Sequence, residues 1–367
     1  MLVCSLCGKV VENAGSVLGV CRECLLNKWH DVESRIRNVH LKSRQRFHLP
    51  EEVPRNSNGR KCKICVLGCS LGPSETGFCG IRKGEPKSFA LDGNLRGKFS
   101  AYLDPLPTNC VADWVCPGGT GSGYPRFAYE RGPEVGYYNL AVFFEACNLN
   151  CLFCQNWSFK LAHLRSGWRS VDELVGEMND RTSCVCFFGG DPSPQLPFAF
   201  RAIKKMLRQK QGSILRICWE TNGMASRPWL DKMLEFSLKT GGCIKVDIKA
   251  WSNPVYMAMC GVGNEKVIEN VKYLAGRFRI RRDPPLVVFS TLLVPEYVTE
   301  EEVFQIAKLI ASIDPDIPYT LLGFAPQFEM RDFSTTTKAH AESCLDAALS
   351  AGLKRVRLAN RHLLCGA

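Results

Sequence analysis

The spacing of the cysteines constrains this chain more than any other feature. Eleven of its 20 cysteines fall into three tight groups: Cys4, Cys7, Cys21 and Cys24; Cys62, Cys65, Cys69 and Cys79; and Cys147, Cys151 and Cys154. The first thirty residues lack the apolar core of a secretion signal, so we predict a cytoplasmic protein. In a reducing compartment, thiols at such spacing are expected to bind metal rather than to form disulfides.

Length and composition set outer limits. A chain of 367 residues allows about two or three domains, one of them large enough for a full core. A hydrophobic fraction of 46% excludes disorder as a description of the whole chain. No run approaches ~18 apolar residues, so we expect neither a membrane span nor a membrane partner.

The first cysteine group indicates a zinc-ribbon-like module over residues 1–30. Two Cys-x-x-Cys knuckles each present two thiolates from a tight turn, and together they complete a tetrahedral site for zinc. The alternative, unpaired buried cysteines, does not explain why the spacing occurs twice.

A basic segment follows and is interpreted as a linker over residues 31–60. Between Arg35 and Lys63 there are nine Lys or Arg residues against two acidic residues, within a chain of net charge +11. Such a run is either a solvated linker or a surface that contacts RNA or an acidic protein. The sequence leaves both possibilities open.

The second cysteine group opens a module predicted over residues 61–138, in which covering loops follow four closely spaced cysteines. Four thiolates within eighteen residues can hold zinc or an iron–sulfur cluster, and the spacing does not choose between them. Cys110 and Cys116 are either further ligands or structural residues. The segment PGGTGSGYP is not a P-loop, because no Gly-Lys-Ser/Thr follows it.

From residue 139 to residue 367 the pattern changes to alternating strands and helices. Apolar runs typical of strands are NLAVFF, CVCFF, ILRICW, IKVDI, LVVFSTLL, YTLLG and RVRL. Capping boxes are predicted at Ser170 with Glu173 and at Thr299 with Glu302. This α/β alternation predicts a parallel sheet with helices outside, and six or seven units fit a partial (β/α)6-type barrel.

The third cysteine group directly follows the first of these strands, in FFEACNLNCLFCQNW. Three thiolates on one loop can ligate three irons of a [4Fe–4S] cluster and leave the fourth open, as catalytic zinc keeps an open position. The alternatives are a structural zinc site or coincidence. The Cys-x-x-x-Cys-x-x-Cys motif, with Phe153 before the last cysteine, resembles the radical S-adenosylmethionine (SAM) superfamily. This resemblance implies a [4Fe–4S] cluster on Cys147, Cys151 and Cys154, with SAM bound beside it and Phe153 near the adenine.

The second strand carries the resemblance further. Its end contains Gly189, Gly190 and Asp191, and glycines let the backbone approach a ligand closely. The stretch is similar to the Gly-Gly-Glu-Pro motif of the family, whose backbone polar groups receive the SAM amino group. The Gly-Gly-Asp-Pro form resembles a branch of pyruvate formate-lyase activating enzyme-like proteins.

The third and fourth strands end in CWETNG and IKVDIKAW. In activating enzymes of glycyl radical enzymes, the corresponding strand ends hold a monovalent cation beside the SAM carboxylate. The resemblance implies Glu220, Thr221, Asp247 and the carbonyl of Lys245 as candidate ligands, and hard oxygens suit a hard cation. Lys249 is interpreted as a partner for a carboxylate or as a surface ion pair.

The resemblance covers about residues 60–367. It includes KCKICVLGCSLGPSETGFCGIRK, which is similar to the cysteine-rich element of AmmeMemoRadiSam-type members; the zinc ribbon and the basic segment lie outside. It implies a radical SAM oxidoreductase in which an electron from a ferredoxin or flavodoxin cleaves SAM to a 5′-deoxyadenosyl radical, with no catalytic residue beyond the cluster and the SAM site.

Three functions follow from these expectations. The first is hydrogen abstraction from a protein, by glycyl radical formation or peptide modification. The second is modification of tRNA or rRNA, for which the zinc ribbon and the basic segment would supply binding. The third is a non-catalytic metal-binding adaptor, against which the complete third cysteine group argues. Other cysteines, such as Cys184, Cys186, Cys218 and Cys243, are predicted to be small buried hydrophobic residues.

Overall fold

The structure, a computed structural model, describes residues 1–84 and 95–366. Ten residues of the predicted 61–138 module, 85–94, therefore lie outside the described part of the chain. The first 84 residues form small elements: β1 (Leu2–Val3), β2 (Val10–Val11), α1 (Arg22–Asn27), α2 (Trp29–Gln45), β3 (Arg60–Lys61) and β4 (Ser70–Leu71). Strands β1 and β2 form one antiparallel hairpin, and β3 and β4 form a second.

The rest of the chain alternates strands with helices. Its elements are β5 (Arg96–Gly97), β6 (Phe99–Pro105), α3 (Pro117–Thr120), β7 (Tyr138–Phe144), α4 (Phe159–Arg165), β8 (Arg169–Ser170), α5 (Val171–Gly176), β9 (Thr182–Gly189), α6 (Leu196–Gln209), β10 (Arg216–Thr221), α7 (Arg227–Thr240), β11 (Ile244–Asp247), α8 (Asn253–Cys260), α9 (Glu265–Ala275), β12 (Val287–Leu293), α10 (Glu300–Ile313), β13 (Tyr319–Gly323), α11 (Lys338–Ser350) and β14 (Val356–Ala359).

One sheet organises the molecule. Across the described residues it has eight strands in the order β14-β13-β12-β11-β10-β9-β7-β6. Strands β7 and β9 to β14 are parallel, while β6 pairs with β7 in the antiparallel sense. Parallel neighbours that follow one another in sequence require crossovers of the same hand, which place the helices on one face. The predicted partial α/β barrel is confirmed.

The sheet forms where the sequence places its apolar runs. All seven predicted strands are present, and β12 is buried at every position because it lies in the middle of the parallel array. The prediction of covering loops in the later part of the 61–138 module is wrong for β6, since residues 99–105 pair with β7 along their full length. The capping box at Ser170 and Glu173 is present.

The capping box predicted at Thr299 and Glu302 does not form. Glu302 instead accepts hydrogen bonds from the backbone amides of Trp251 and Ser252, at 2.7 and 2.9 Å, just before α8. It also pairs with Arg22 at 3.0 Å. The Glu302 carboxylate therefore binds groups from other parts of the fold and does not bind the backbone amide at the start of α10.

The basic segment is folded over its first half. Helix α2 buries Val32, Ile36, His40 and Arg44 along one side. His40 contacts the carbonyl oxygen of Ala258, 3.0 Å away in α8. The linker interpretation thus describes at most the residues after this helix. Among the described residues, no helix has the length and apolar character needed to cross a membrane.

Candidate active site at the carboxyl ends of the strands

The three-cysteine loop begins directly after β7, at the carboxyl edge of the sheet. Its backbone is fixed against the end of α8, because Asn150 and Leu152 donate hydrogen bonds of 2.9 Å to the carbonyls of Cys260 and Met259. The Sγ atom of Cys151 lies 3.6 Å from that of Cys260. Burial raises the pKa of Cys154 to about 11. A metal ion that binds this sulfur would displace the thiol proton, because metal ions bind the thiolate form.

The Gly189–Gly190 pair approaches this loop more closely than any other residue type would permit. Gly190 donates to the carbonyl of Phe144 at 2.8 Å, and Asp191 donates to that of Ala146 at 2.8 Å. A Cβ on Gly190 would lie 2.3 Å from the Ala146 carbonyl oxygen. Approach of these glycines to a ligand stays a prediction, and both border the cleft described below. They also pack closely against the backbone of β7 and of the residue before Cys147.

The side chain of Asp191 connects the segments that follow β9 and β10. The buried carboxylate accepts hydrogen bonds from the Thr221 hydroxyl at 2.9 Å and from the backbone amides of Asn222 and Ser193, both at 2.8 Å. Asn222 in turn donates to Asn148, beside the first cysteine of the loop, at 2.7 Å. Asp191 and Thr221 therefore satisfy each other and hold the loop in position.

A cleft of about 170 Å³ lies between the cysteine loop and the strand ends. It brings together the three cysteines and all but one of the predicted cofactor-binding residues: Phe153, Gly189, Gly190, Asp191, Glu220, Thr221, Asp247 and Lys249. Lys249 pairs with Asp247 and lies 5.5 Å from the centre of the Phe153 ring. Burial alone would lower the pKa of Lys249, but Asp247 and Cys151 raise it above its ordinary value.

Lys245 is the exception, because its side chain points into a neighbouring cavity in the barrel lumen. Its Nζ atom lies 3.0 Å from the Sγ atoms of Cys110 and Cys186 and 3.3 Å from Glu220. This cavity of about 330 Å³ is lined by six cysteines: Cys110, Cys116, Cys184, Cys186, Cys218 and Cys243. Cys184, Cys186 and Cys243 are buried as predicted, and Cys218 is half-buried. No sequence pattern indicated that Cys110 and Cys116 would line the same cavity.

Several polar residues behind the cysteine loop were not predicted as site residues. Lys160 is buried and donates to Asn150 at 2.5 Å; burial lowers its pKa to about 8, although the cysteine thiols act in the opposite direction. Asn150 also contacts His40 at 3.0 Å. Arg44 is buried as well. Their signal in the sequence was only that His40 and Arg44 follow Val32 and Ile36 at intervals of four residues.

The first cysteine group assembles as its spacing predicts. The sulfurs of Cys4, Cys7, Cys21 and Cys24 all lie within 4.8 Å of one another, and two of the pairs are 3.7 Å apart. A tetrahedral zinc ion with Zn–S bonds of about 2.3 Å requires sulfurs separated by about 3.8 Å. The four thiols therefore fit zinc without rearrangement.

The second cysteine group packs beside the strand end of β10. Cys62 donates a backbone hydrogen bond to Cys69 at 2.7 Å, and Val66 donates to Met224 at 2.9 Å. Cys65 forms a bridge with Ala225. The second group therefore lies against the turn that follows Asn222 in the cleft.

Fold and site together define a class: an α/β protein whose parallel strands end at a cleft carrying a three-cysteine cofactor loop. Residues 141–310 match the Radical SAM superfamily, and the chain carries a radical SAM domain. It is 27% identical over 183 residues to a protein of Methanocaldococcus jannaschii named as a glycyl-radical enzyme activating enzyme, covering 48% of this chain and 64% of that one.

A second relative is the pyruvate formate-lyase 1-activating enzyme of Escherichia coli K12, 29% identical over 165 residues, 40% of this chain and 58% of that protein. The chain thus spans less than two thirds of the length of either relative. A solved domain of a pyruvate-formate lyase-activating enzyme from Bacteroides vulgatus covers 48% of this chain and 98% of its own, with 19% identity and a TM-score of 0.39.

The cleft fits the cofactors that such a domain implies. The three cysteines line the cleft, and no fourth cysteine is among the described residues that line it. Within the described residues, the buried Oδ1 atom of Asp247 has no hydrogen-bond partner, although it borders this space. Because a buried carboxylate oxygen normally has a hydrogen-bond partner, this Oδ1 atom is available to a group of a bound ligand. The residues therefore fit a [4Fe–4S] cluster with SAM beside it.

Proposed function

We propose that this chain is a radical SAM enzyme that holds a [4Fe–4S] cluster on Cys147, Cys151 and Cys154. The observation that carries the proposal is a loop with three thiols that faces a cleft. The cleft is bordered by the Oδ1 atom of Asp247, which has no hydrogen-bond partner among the described residues. Held by these three cysteines, a reduced cluster would supply the electron for cleavage of SAM to methionine and a 5′-deoxyadenosyl radical, and that radical would abstract hydrogen from a substrate.

The protein's own residues position SAM and exclude water. Phe153 is buried and offers an apolar ring to the adenine. Lys249 is placed to meet the SAM carboxylate, and Asp247 to accept a hydrogen bond from the amino or ribose groups. Glu220 and Asp247 also present oxygens at adjacent strand ends, where a monovalent cation would bind. Asp191 and Thr221, which also line the cleft, hold the loop in position.

A protein substrate is favoured over RNA. Both relatives compared above are named for activating enzymes, which accords with a macromolecular protein partner and a ferredoxin- or flavodoxin-type reductant. The RNA alternative relies on the zinc ribbon and on the basic segment, yet several arginines of the basic segment are engaged within the fold. Arg44 is buried, Arg35 donates to the Leu18 carbonyl at 2.9 Å, and Arg55 donates to the Leu67 carbonyl at 2.8 Å. Zinc in the first cysteine group has a structural role in this proposal.

Binding of SAM tests the site. In anaerobically purified protein with a reduced cluster, we expect SAM to perturb the electron paramagnetic resonance (EPR) spectrum. Asp247→Ala should weaken SAM binding about tenfold or more at unchanged iron content, because a hydrogen bond to a charged group is lost. The matched control is Asp231→Ala on the exposed side of α7. An iron-replete protein whose spectrum ignores SAM would contradict the proposal.

The substrate class is tested by turnover. We expect a soluble extract of the source organism to accelerate 5′-deoxyadenosine formation, and protease treatment of that extract to remove the effect. Ribonuclease treatment should leave the effect intact. The opposite pattern would assign the enzyme to RNA modification.

A further inference from the structure

We propose that Cys62, Cys65, Cys69 and Cys79 bind a second iron–sulfur cluster, not zinc, and that an acidic one-electron carrier delivers electrons at this cluster. The cluster assignment stands on the geometry of this module alone. The electron-entry role rests on the function proposed above.

The four cysteines form one partly buried site. Cys62 and Cys69 are joined across the β3–β4 hairpin, while Cys69 and Cys79 are each less than a tenth exposed. Three of the sulfurs are approached by backbone amides. The amide of Leu67 faces the sulfur of Cys65, that of Phe78 faces Cys69, and that of Ile81 faces Cys79. Amide groups directed at sulfur stabilise thiolates and tune the cluster they ligate.

The separation of the sulfurs in space favours an iron–sulfur cluster over zinc. Among the described residues, only the Cys4 to Cys24 group brings three or more ligand atoms within 4.8 Å. The second group is more open, as is the Cys147 loop that the radical SAM domain uses. In a cubane cluster each cysteine binds a different iron, so its four sulfurs occupy a larger tetrahedron than those around one zinc ion. One chain thus contains a compact zinc geometry and two open ones.

Buried positive charge accompanies the thiols. The guanidinium of Arg82 is 5% exposed, interacts with Cys79, Cys62 and Cys65, and donates to the Pro194 carbonyl at 2.9 Å. Arg44 is 1% exposed and interacts with both Cys79 and Cys147, so it lies between the two cysteine groups. Buried cations of this kind offset the negative charge of a four-thiolate cluster.

The second group is also adjacent to the radical SAM loop. Cys79, Ile81 and Ala146 form one buried apolar cluster, and Ala146 immediately precedes Cys147. A cluster with four cysteine ligands has no open iron for SAM, so the chemistry left to it is one-electron transfer. It would accept one electron from the carrier and pass one electron to the neighbouring site, and no proton or bond is exchanged.

The outer side of the second group carries the charge that such a carrier requires. A cavity of about 540 Å³ beside Cys62 is lined by Arg60, Lys61 and Lys63, all exposed, and by no acidic residue among the described ones. An acidic low-potential carrier would be steered to this face. This part of the basic segment is therefore assigned to an acidic protein rather than to RNA.

Metal stoichiometry of the anaerobic full-length protein tests the cluster. We expect about eight irons and one zinc per chain, and a triple Cys147/Cys151/Cys154→Ala variant should retain about four irons with the Mössbauer signature of a [4Fe–4S] cluster. Cys65→Ala with Cys69→Ala should lose about half the iron and no zinc. Cys344→Ala, buried in α11 outside the three groups, is the control. About four irons and two zincs in the unaltered protein would overturn the assignment.

These measurements separate the two proposals. If the proposed function is wrong, SAM is not cleaved, but the triple variant still retains about four irons. If the second cluster is absent, the triple variant loses its iron, but the unaltered protein still cleaves SAM at the Cys147 loop.

Rates of reduction test the electron-entry face. Lys61→Glu with Lys63→Glu should slow 5′-deoxyadenosine formation supported by reduced flavodoxin about tenfold or more, with salt producing the same loss in the unaltered protein. The dithionite-supported rate should not change. Lys266→Glu with Lys272→Glu on α9 is the matched control. Equal flavodoxin-supported rates for the two double variants would overturn the electron-entry role. Salt-sensitive binding of a homopolymer RNA, abolished only by Lys61→Glu with Lys63→Glu, would overturn it as well.

Discussion

At the scale of single residues, the site depends on close approaches that leave no room for a side chain. Gly190 lies against the backbone of the cysteine loop, and Asp191 then ties that loop to β10. The sequence identified these residues through a motif but assigned them to ligand contact. Their contacts with the protein itself could not be predicted, because they depend on how β7 and β9 end relative to each other.

Gly190→Ala is expected to remove iron from the radical SAM site. The new Cβ would lie 2.3 Å from a carbonyl oxygen of the backbone that precedes Cys147, so the loop must move. Iron content should fall by about four per chain and SAM cleavage should be lost. Gly167→Ala, where nothing lies within 4 Å of the added atom, should retain both. Full iron in Gly190→Ala would show that the loop tolerates displacement.

Glu134→Ala is expected to destabilise the barrel without touching the cleft. Glu134 and Arg216 form a bidentate pair at 2.8 and 2.6 Å, and both are buried. Removing the carboxylate leaves a buried guanidinium uncompensated, at a cost of about 3–5 kcal/mol. Thermal unfolding should therefore start at a lower temperature. Glu235→Ala, which breaks an exposed pair with Lys239, should change stability by less than about 1 kcal/mol. Equal effects would refute this ranking.

At the scale of elements, the zinc-ribbon-like module is docked onto the barrel rather than tethered to it. The Tyr297 hydroxyl donates to the Val20 carbonyl at 2.8 Å, and Asp332 accepts from Ser16 at 2.7 Å. Arg22 pairs with Glu302, whose carboxylate also accepts hydrogen bonds from the two backbone amides just before α8. The module therefore contacts residues that lie 277 to 316 positions later in the chain.

Loss of zinc is expected to unfold this module alone. Cys4→Ala with Cys24→Ala should abolish zinc binding, since folding energy of a ribbon comes from its metal. Limited proteolysis should then cleave before α2, while iron content stays unchanged. Cys344→Ala should remain resistant. Simultaneous loss of iron would indicate that the ribbon supports the barrel as well, contrary to this account.

Elements also show where sequence patterns reach their limit. The seven parallel strands were predictable because buried strands are continuous apolar runs. Strand β6 was not, since its sequence FSAYLDP mixes polar and apolar residues at a sheet edge. Helix α2 looked like a linker because two of its buried positions are His40 and Arg44, whose burial depends on partners in α8 and beside Cys79.

At the scale of the whole molecule, the three cysteine groups belong to one arrangement. The second group abuts the radical SAM loop, and α2 connects the zinc-ribbon-like module to both through Arg44 and His40. The sequence placed the cysteines in three separate modules along the chain. That the barrel lumen gathers six further cysteines around Lys245 required the register of β9, β10 and β11.

Product analysis tests the central claim most directly. Anaerobic protein with reductant and SAM should form 5′-deoxyadenosine and methionine in equal amounts. Cys151→Ala should form none, because the open-iron cluster requires all three thiols. Cys344→Ala should match the unaltered protein. An iron-replete protein that forms no 5′-deoxyadenosine, or a Cys151→Ala variant that forms it at the full rate, would contradict the account.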